Sequence, residues 1–243
     1  MFRDKGQKVA LYAKNGSEVI VRLEVNARAK RLIVRLDESA REAVAVAPHR
    51  RDLPAATAFA RDRVDWIAEQ LSLIPAPLPF RDGGEIPFQG AVCQLSLSGS
   101  GRRAQLVAEP RLTLSAPGAP ETFAARVSRY LKRAAKTEIT RSVGTYCDAL
   151  GVTAQRISVK DTRSRWGSCT ADGCLSFSWR LICAPPRVLD YVAAHECAHL
   201  LEMNHSDRFW GHVNRICPDW RRDRAWLRAH GRALHAIGAP ITR

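Results

Sequence analysis

The sequence predicts an α+β protein. A β-rich N-terminal region, residues 1–118, precedes a mostly helical region, residues 119–243, that holds a small antiparallel sheet. Three observations predict this. Between residues 17 and 117, short β-branched or alternating stretches recur between polar and Gly/Pro breaks. From Glu121 onward the apolar spacing changes to that of a helix. Between the two, "APGAPET" (116–122) interrupts both patterns and reads as a boundary.

In chain order, "EVIVRLEV", "RLIVRL" and "EAVAVAP" read as three strands within residues 17–47. Residues 52–73 read as one amphipathic helix with Phe59, Val64, Ile67 and Leu71 on its apolar side. "IPAPLPF" and "RDGGEIPF" read as a Pro/Gly-rich connection, and "AVCQLSLSG" and "RAQLVAEPRLTLSAP" as further strands. A long helix then runs from Glu121 to Leu150, with Val127, Leu131, Ile139 and Val143 apolar, and Gly151 ends it. "QRISVK" is a strand, "DTRSRWGSC" a loop, and "TADG" a turn into the strand "CLSFSWRLICA". Pro185 and Pro186 break that strand and open a helix from Arg187 to about Glu202. Ser206 caps the next helix, which runs to Ile216, and a last helix covers 219–236. No internal repeat is visible.

The composition narrows the class. With 46% hydrophobic residues the chain can build a substantial core. Its net charge is +14, from 31 arginines and only 7 lysines against 24 carboxylates. Such a balance attracts phosphates, nucleic acid or acidic proteins, but the arginines are spread along the chain, which equally describes a solvated basic surface. Seven cysteines with no C-x-x-C pair indicate neither a disulfide framework nor a four-cysteine zinc site. Cys169 and Cys174 flank the "TADG" turn; they can pair or bind metal, and two reduced thiols facing each other fit the hairpin better. The N-terminus lacks a signal-peptide core and no 18-residue apolar run occurs, so a cytoplasmic protein with no membrane partner is expected. The sequence sets no oligomeric state.

One stretch concentrates chemistry. "HECAHLLEMNH" (195–205) holds three histidines and two glutamates. On a helix, His195 and His199 differ by about 40° in azimuth and about 6 Å in height, so both rings reach one ion. Glu196 lies about 100° away, where it does not ligate but can take a proton from a water at that ion. The third ligand is Glu202 or His205. A continuing helix would aim Glu202 at the ion; a break before the Ser206 cap would swing His205 back. Asn204 suits that break, because Asn tolerates the left-handed conformation at a helix end. The break favours His205 and places the helix end at residue 202 or 203. His212, seven residues on, reads as packed or exposed.

A second constellation is "KDTRSRWGSC", with Lys160, Asp161, Arg163, Arg165 and Trp166. A fixed cation near the metal would stabilise an oxyanion, and Arg165 or Arg163 can serve. The structural alternative is that Trp166 packs under the loop and the arginines pair with Asp161 or backbone carbonyls. Tyr191, one turn before His195, can donate to an oxyanion or simply pack.

Taken together, "HECAHLLEMNHSDRFW", "RSRWGSC" and "FSWRLICAPPRVLDYVAAHE" resemble the YgjP-like metallopeptidases, a family related to the SprT-like and Wss-type zinc proteases. "ARAKRLIVRLD", "DWIAEQL" and "PDWRRDRAWL" extend the resemblance over most of the chain. It implies a zincin-like domain with zinc held by His195, His199 and His205 and Glu196 as acid/base, acting on protein or peptide. Glu202 stands where the metzincins, which share this ligand spacing, have glycine. The resemblance also implies a nucleotide (UTP) pyrophosphatase as an alternative, although no glycine-rich phosphate loop supports it. The SprT-like kinship and the basic charge leave nucleic acid as a further partner, without any aromatic-basic recognition motif.

Overall fold

A computed structural model describes residues 6–37, 40–99, 101–162 and 164–239. The chain forms two compact units that divide at Ala76/Pro77.

In the first unit, β1 (Lys8–Tyr12), β2 (Glu18–Val25), β3 (Ile33–Asp37) and β4 (Glu42–Ala47) form a sheet in the order β1-β2-β4-β3. The outer pairs are antiparallel and β2/β4 is parallel. The register sets Val21 beside Ala43 and Leu23 beside Ala45, and this face is buried with Ala56, Ala60, Val64 and Ile67 of the helices that follow. The predicted helix over 52–73 is two helices, α1 (Leu53–Arg61) and α2 (Val64–Ser72). Arg63 leaves helical geometry at φ −116°, with its guanidinium 3.6 Å from the centre of the Phe59 ring. On the other face of the sheet, Arg22 bonds Glu42 (2.7 Å), Asp37 (3.1 Å) and Glu24 (3.4 Å).

The second unit begins with β5 (Glu85–Phe88), β6 (Ala91–Ser98), β7 (Gln105–Val107) and β8 (Thr113–Pro117), ordered β5-β6-β8-β7. Order and strand senses repeat those of the first sheet, so a topology recurs that the sequence did not reveal. The expected boundary at 118/119 does not separate compact units. Leu95, Leu114 and Ala116 of this sheet share one core with Phe123, Val127 and Leu131 of the helix that follows.

That helix, α3 (Pro120–Leu150), buries Phe123, Val127, Leu131, Ala135, Ile139, Val143 and Cys147, a strict spacing of four. Each such step advances about 40° around the axis, so the buried stripe winds around the helix. Near its start Tyr130 meets Phe88 of β5, ring centres 6.4 Å apart. Further on, Ser142 donates to Asp190, and Cys147 lies 3.8 Å, Sγ to Sγ, from Cys197. Gly151 closes the helix at φ 69°, with Val152 N–H bonding the Cys147 carbonyl (3.0 Å) and Gly151 N–H that of Asp148 (3.2 Å).

Next come β9 (Arg156–Lys160), β10 (Gly167–Cys169) and β11 (Cys174–Ser178), in the order β10-β11-β9. This sheet is mixed rather than antiparallel, because β9 returns parallel to β11. β11 is also shorter than predicted: Trp179–Cys183 coils into a fully buried 3-10 turn. Cys169 stands opposite Leu175, not Cys174, and both cysteines are free thiols. Three helices complete the unit: α4 (Pro186–Ala198), α5 (Asp207–Ile216) and α6 (Trp220–Ala236). Among the described residues, no helix is long and apolar enough to cross a membrane.

Candidate metal centre

α4 is buried around most of its circumference, from Val188 to Ala198. It ends earlier than expected: His199 is its cap residue. The N–H groups of Leu200 and Leu201 bond three residues back, to Cys197 (3.0 Å) and Ala198 (3.1 Å), which tightens the last turn. Leu201 and Met203 are consequently exposed, and Leu201 does not anchor the helix. Asn204 makes the turn differently from the expected left-handed residue. Positive φ at a non-glycine occurs only at Arg41 and Gln89 among the described residues, whereas the Asn204 side-chain oxygen accepts the Ser206 N–H (3.2 Å). Ser206 then caps α5, its hydroxyl accepting from Phe209 N–H (3.3 Å).

This chain path brings His195, His199 and His205 together, one nitrogen of each within 4.8 Å of the others. Nε2 of His195 and Nε2 of His205 are 3.1 Å apart. Tetrahedral nitrogen ligands about 2.0–2.1 Å from a zinc ion stand roughly 3.3 Å from one another, so this spacing suits a shared ion. His199 Nδ1 meets the Glu202 carbonyl at 2.9 Å; donating there leaves Nε2 as the free lone pair. Glu202 therefore contributes its backbone, while its carboxylate pairs with Arg208 (2.9 Å). The donor set, three imidazoles with one ring oriented by a carbonyl, fits a borderline-soft divalent cation. His212 is not part of the cluster.

Burial disfavours the charged form of two of these rings, His195 and His199. It pushes His195 down to about 3, helped by His199, His205 and Arg224 nearby. Burial also lowers His199, against the pull of the Glu202 carbonyl. Neutral imidazole is the form that binds a metal.

Glu196 is 5% exposed. Burial pushes its carboxyl up to about 8, opposed by the charge of Arg165. A Cβ on Gly167 would fall 2.4 Å from Glu196 Oε1, so β10 runs directly against this carboxylate. Cys169, two residues along, is pushed up to about 11 by burial and by the Glu196 charge.

Arg163 lies outside the described residues. Asp161 pairs with Arg180, which is 2% exposed, so it does not neutralise Arg165. Arg165 is exposed and has no carboxylate within ion-pair distance among the described residues. Trp166 packs as the structural alternative held: it stacks on His235 (ring centres 4.3 Å apart) and lies against Gly231 of α6. Tyr191 is buried with its ring 5.9 Å from that of His195, and burial pushes its hydroxyl up to about 12.

Several residues here escaped the sequence reading. Phe209, fully buried, lies beside all three imidazoles, its ring centre 4.9, 4.4 and 4.8 Å from those of His195, His199 and His205. Its place three residues after the Ser206 cap was the available signal. Trp210 stacks between His205 (5.8 Å) and Trp220 (4.2 Å), and Arg224 lies over its ring. Gly167 and Arg224 gave no local signal.

Residues 30–230 match the model of a family described as YgjP-like, metallopeptidase domain. The chain belongs to the YgjP-like metallopeptidases. It is thus a metal-dependent hydrolase of the peptidase class, and the histidine cluster lies inside the matched span. None of the curated proteins matches this YgjP-like chain. Among solved structures, the metallopeptidase zymogen abylysin of Pyrococcus abyssi is similar at 18% identity and a TM-score of 0.34, over 38% of this chain and 92% of that one.

Proposed function

We propose that the protein is a zinc-dependent peptidase in which His195, His199 and His205 hold the metal and Glu196 is the general base and acid. The observation that carries this reading is the convergence of His195, His199 and His205 at the end of the helix that holds the buried Glu196 carboxylate. A zinc ion at the cluster supplies Lewis acidity and lowers the pKa of a bound water to about 7.

Glu196 accepts the proton of the attacking water and passes it to the departing amine. Its raised proton affinity suits that relay, and a cation at the histidines would bring it closer to the working pH. Arg165, whose charge reaches Glu196, would stabilise the oxyanion of the tetrahedral intermediate. Phe209 excludes water beneath the imidazoles and holds their rings. β10 ends its sheet, and its outer edge can pair with an extended peptide beside Glu196.

The test is parallel hydrolysis of a peptide library and of nucleoside triphosphates, UTP included, by wild type and Glu196→Gln. Peptide cleavage that Glu196→Gln abolishes, with zinc retained, supports the reading. Cleavage of UTP alone overturns it in favour of a nucleotide pyrophosphatase.

A further inference from the structure

We propose that Arg224 selects substrates that present a carboxylate close to the scissile bond, so that this site cleaves acidic peptides in preference to neutral or basic ones. The inference rests on the peptidase reading above.

The start of α6 is crowded with arginines, and most of them are engaged. Asp223, 2% exposed, pairs with Arg187 of α4 and with Arg222 (3.4 Å). Asp219 takes the other side of Arg222 (3.1 Å). Arg221 lies over Trp220, 4.5 Å from the ring centre. Arg224 is exposed and has no carboxylate within ion-pair distance among the described residues.

Its position is nevertheless fixed. The neighbouring Asp223–Arg187 pair ties α6 to the start of α4. The guanidinium lies 5.2 Å from the centre of the Trp210 ring. That ring is in turn 5.8 Å from His195 and 5.8 Å from His205, centre to centre.

A guanidinium held over an aromatic ring keeps its N–H edge free for a planar anion, and a carboxylate matches that edge in bidentate fashion. The gap to the histidines is at most about three extended residues, at roughly 3.5 Å each. With Arg165 near Glu196 and Arg224 over Trp210, two guanidiniums that lack an ion-pair partner among the described residues stand against one carboxylate around the three imidazoles, so the surroundings are cationic before any ion is counted. The carboxylate can be an acidic side chain or the free C-terminus of the peptide.

The test is one cleavable peptide made with Glu, Gln or Lys at each of the three positions on either side of the cut, each with a free or an amidated C-terminus. At the responsive position, kcat/KM for Glu should exceed that for Gln by about tenfold, the low end for a charged hydrogen bond. Lys should fall below Gln, and the spread should narrow as salt rises. Arg224→Gln should bring the Glu/Gln ratio towards one, and Arg224→Glu should invert the order to favour Lys, both with wild-type zinc content. A preference for the free over the amidated terminus assigns the carboxylate to the chain end. Equal cleavage of all the peptides by wild type, or an undiminished Glu preference in Arg224→Gln, overturns the inference while the peptidase reading stands. If no peptide of any charge is cut, both fall together.

Discussion

Gly167 and Glu196 are in such close contact that the Cβ the glycine lacks would lie 2.4 Å from Oε1 and 2.6 Å from Cγ of the glutamate. The strand carrying Gly167 is therefore the wall against which the proposed base is held. Cγ is not the free end of a flexible chain, so an added methyl must move the carboxylate or the strand. Gly167→Ala is expected to lower kcat about 100-fold, the usual cost of a misplacement near 1 Å. Zinc content should stay at the wild-type level. Near-normal turnover in that variant would mean that Glu196 does not depend on this wall.

Phe209 supports all three imidazoles at once. Phe209→Ala should cost about 3–4 kcal/mol of stability from the lost packing. It should also weaken zinc binding by about 10–100-fold, as loss of ligand support does elsewhere. Phe209→Leu should do less of both. Competition with a zinc chelator checks this, and an unchanged affinity in Phe209→Ala would separate the ring from the metal centre.

Glu42 gives a pH prediction in the first unit. Burial pushes its carboxyl up, but hydrogen bonds from Lys8 and Arg22 outweigh this and hold it below the ordinary value of 4.5. A depressed carboxylate contributes stability above the unfolded pKa, and the contribution is lost as pH falls through the folded one. Glu42→Gln should therefore cost about 2 kcal/mol at pH 7, the scale of hydrogen bonds to a charged group. In urea unfolding the gap between variant and wild type should close towards pH 3. A gap of equal size at both pH values contradicts the assignment.

What was legible in the sequence had a local cause. The spacing of His195 and His199, the Ser206 cap, the long α3 with its Gly151 stop and the α+β class all follow from periodicity and capping chemistry. Errors came where tertiary contacts decide. β1 is a short edge strand next to a stretch without clear alternation, and β5 contains Pro87 inside what reads as a connection. The apolar run after Ser178 looks like continued strand, yet Arg180 must reach Asp161 and the Ile237 carbonyl, and the chain coils into a 3-10 turn there. The boundary misled because "APGAPET" is only the entry to α3, whose core is shared with the sheet before it. Gly167 and Arg224 act across 29 and 29 residues of sequence on Glu196 and His195, a distance no window spans.

His205, and not Glu202, is proposed to complete the metal site with His195 and His199. Zinc per chain, measured by elemental analysis on wild type, His205→Ala and Glu202→Gln purified alike, tests it most directly. About one zinc is expected in wild type and in Glu202→Gln, since the Glu202 carboxylate pairs with Arg208, and a large loss in His205→Ala. Full zinc in His205→Ala, with loss in Glu202→Gln, would contradict it.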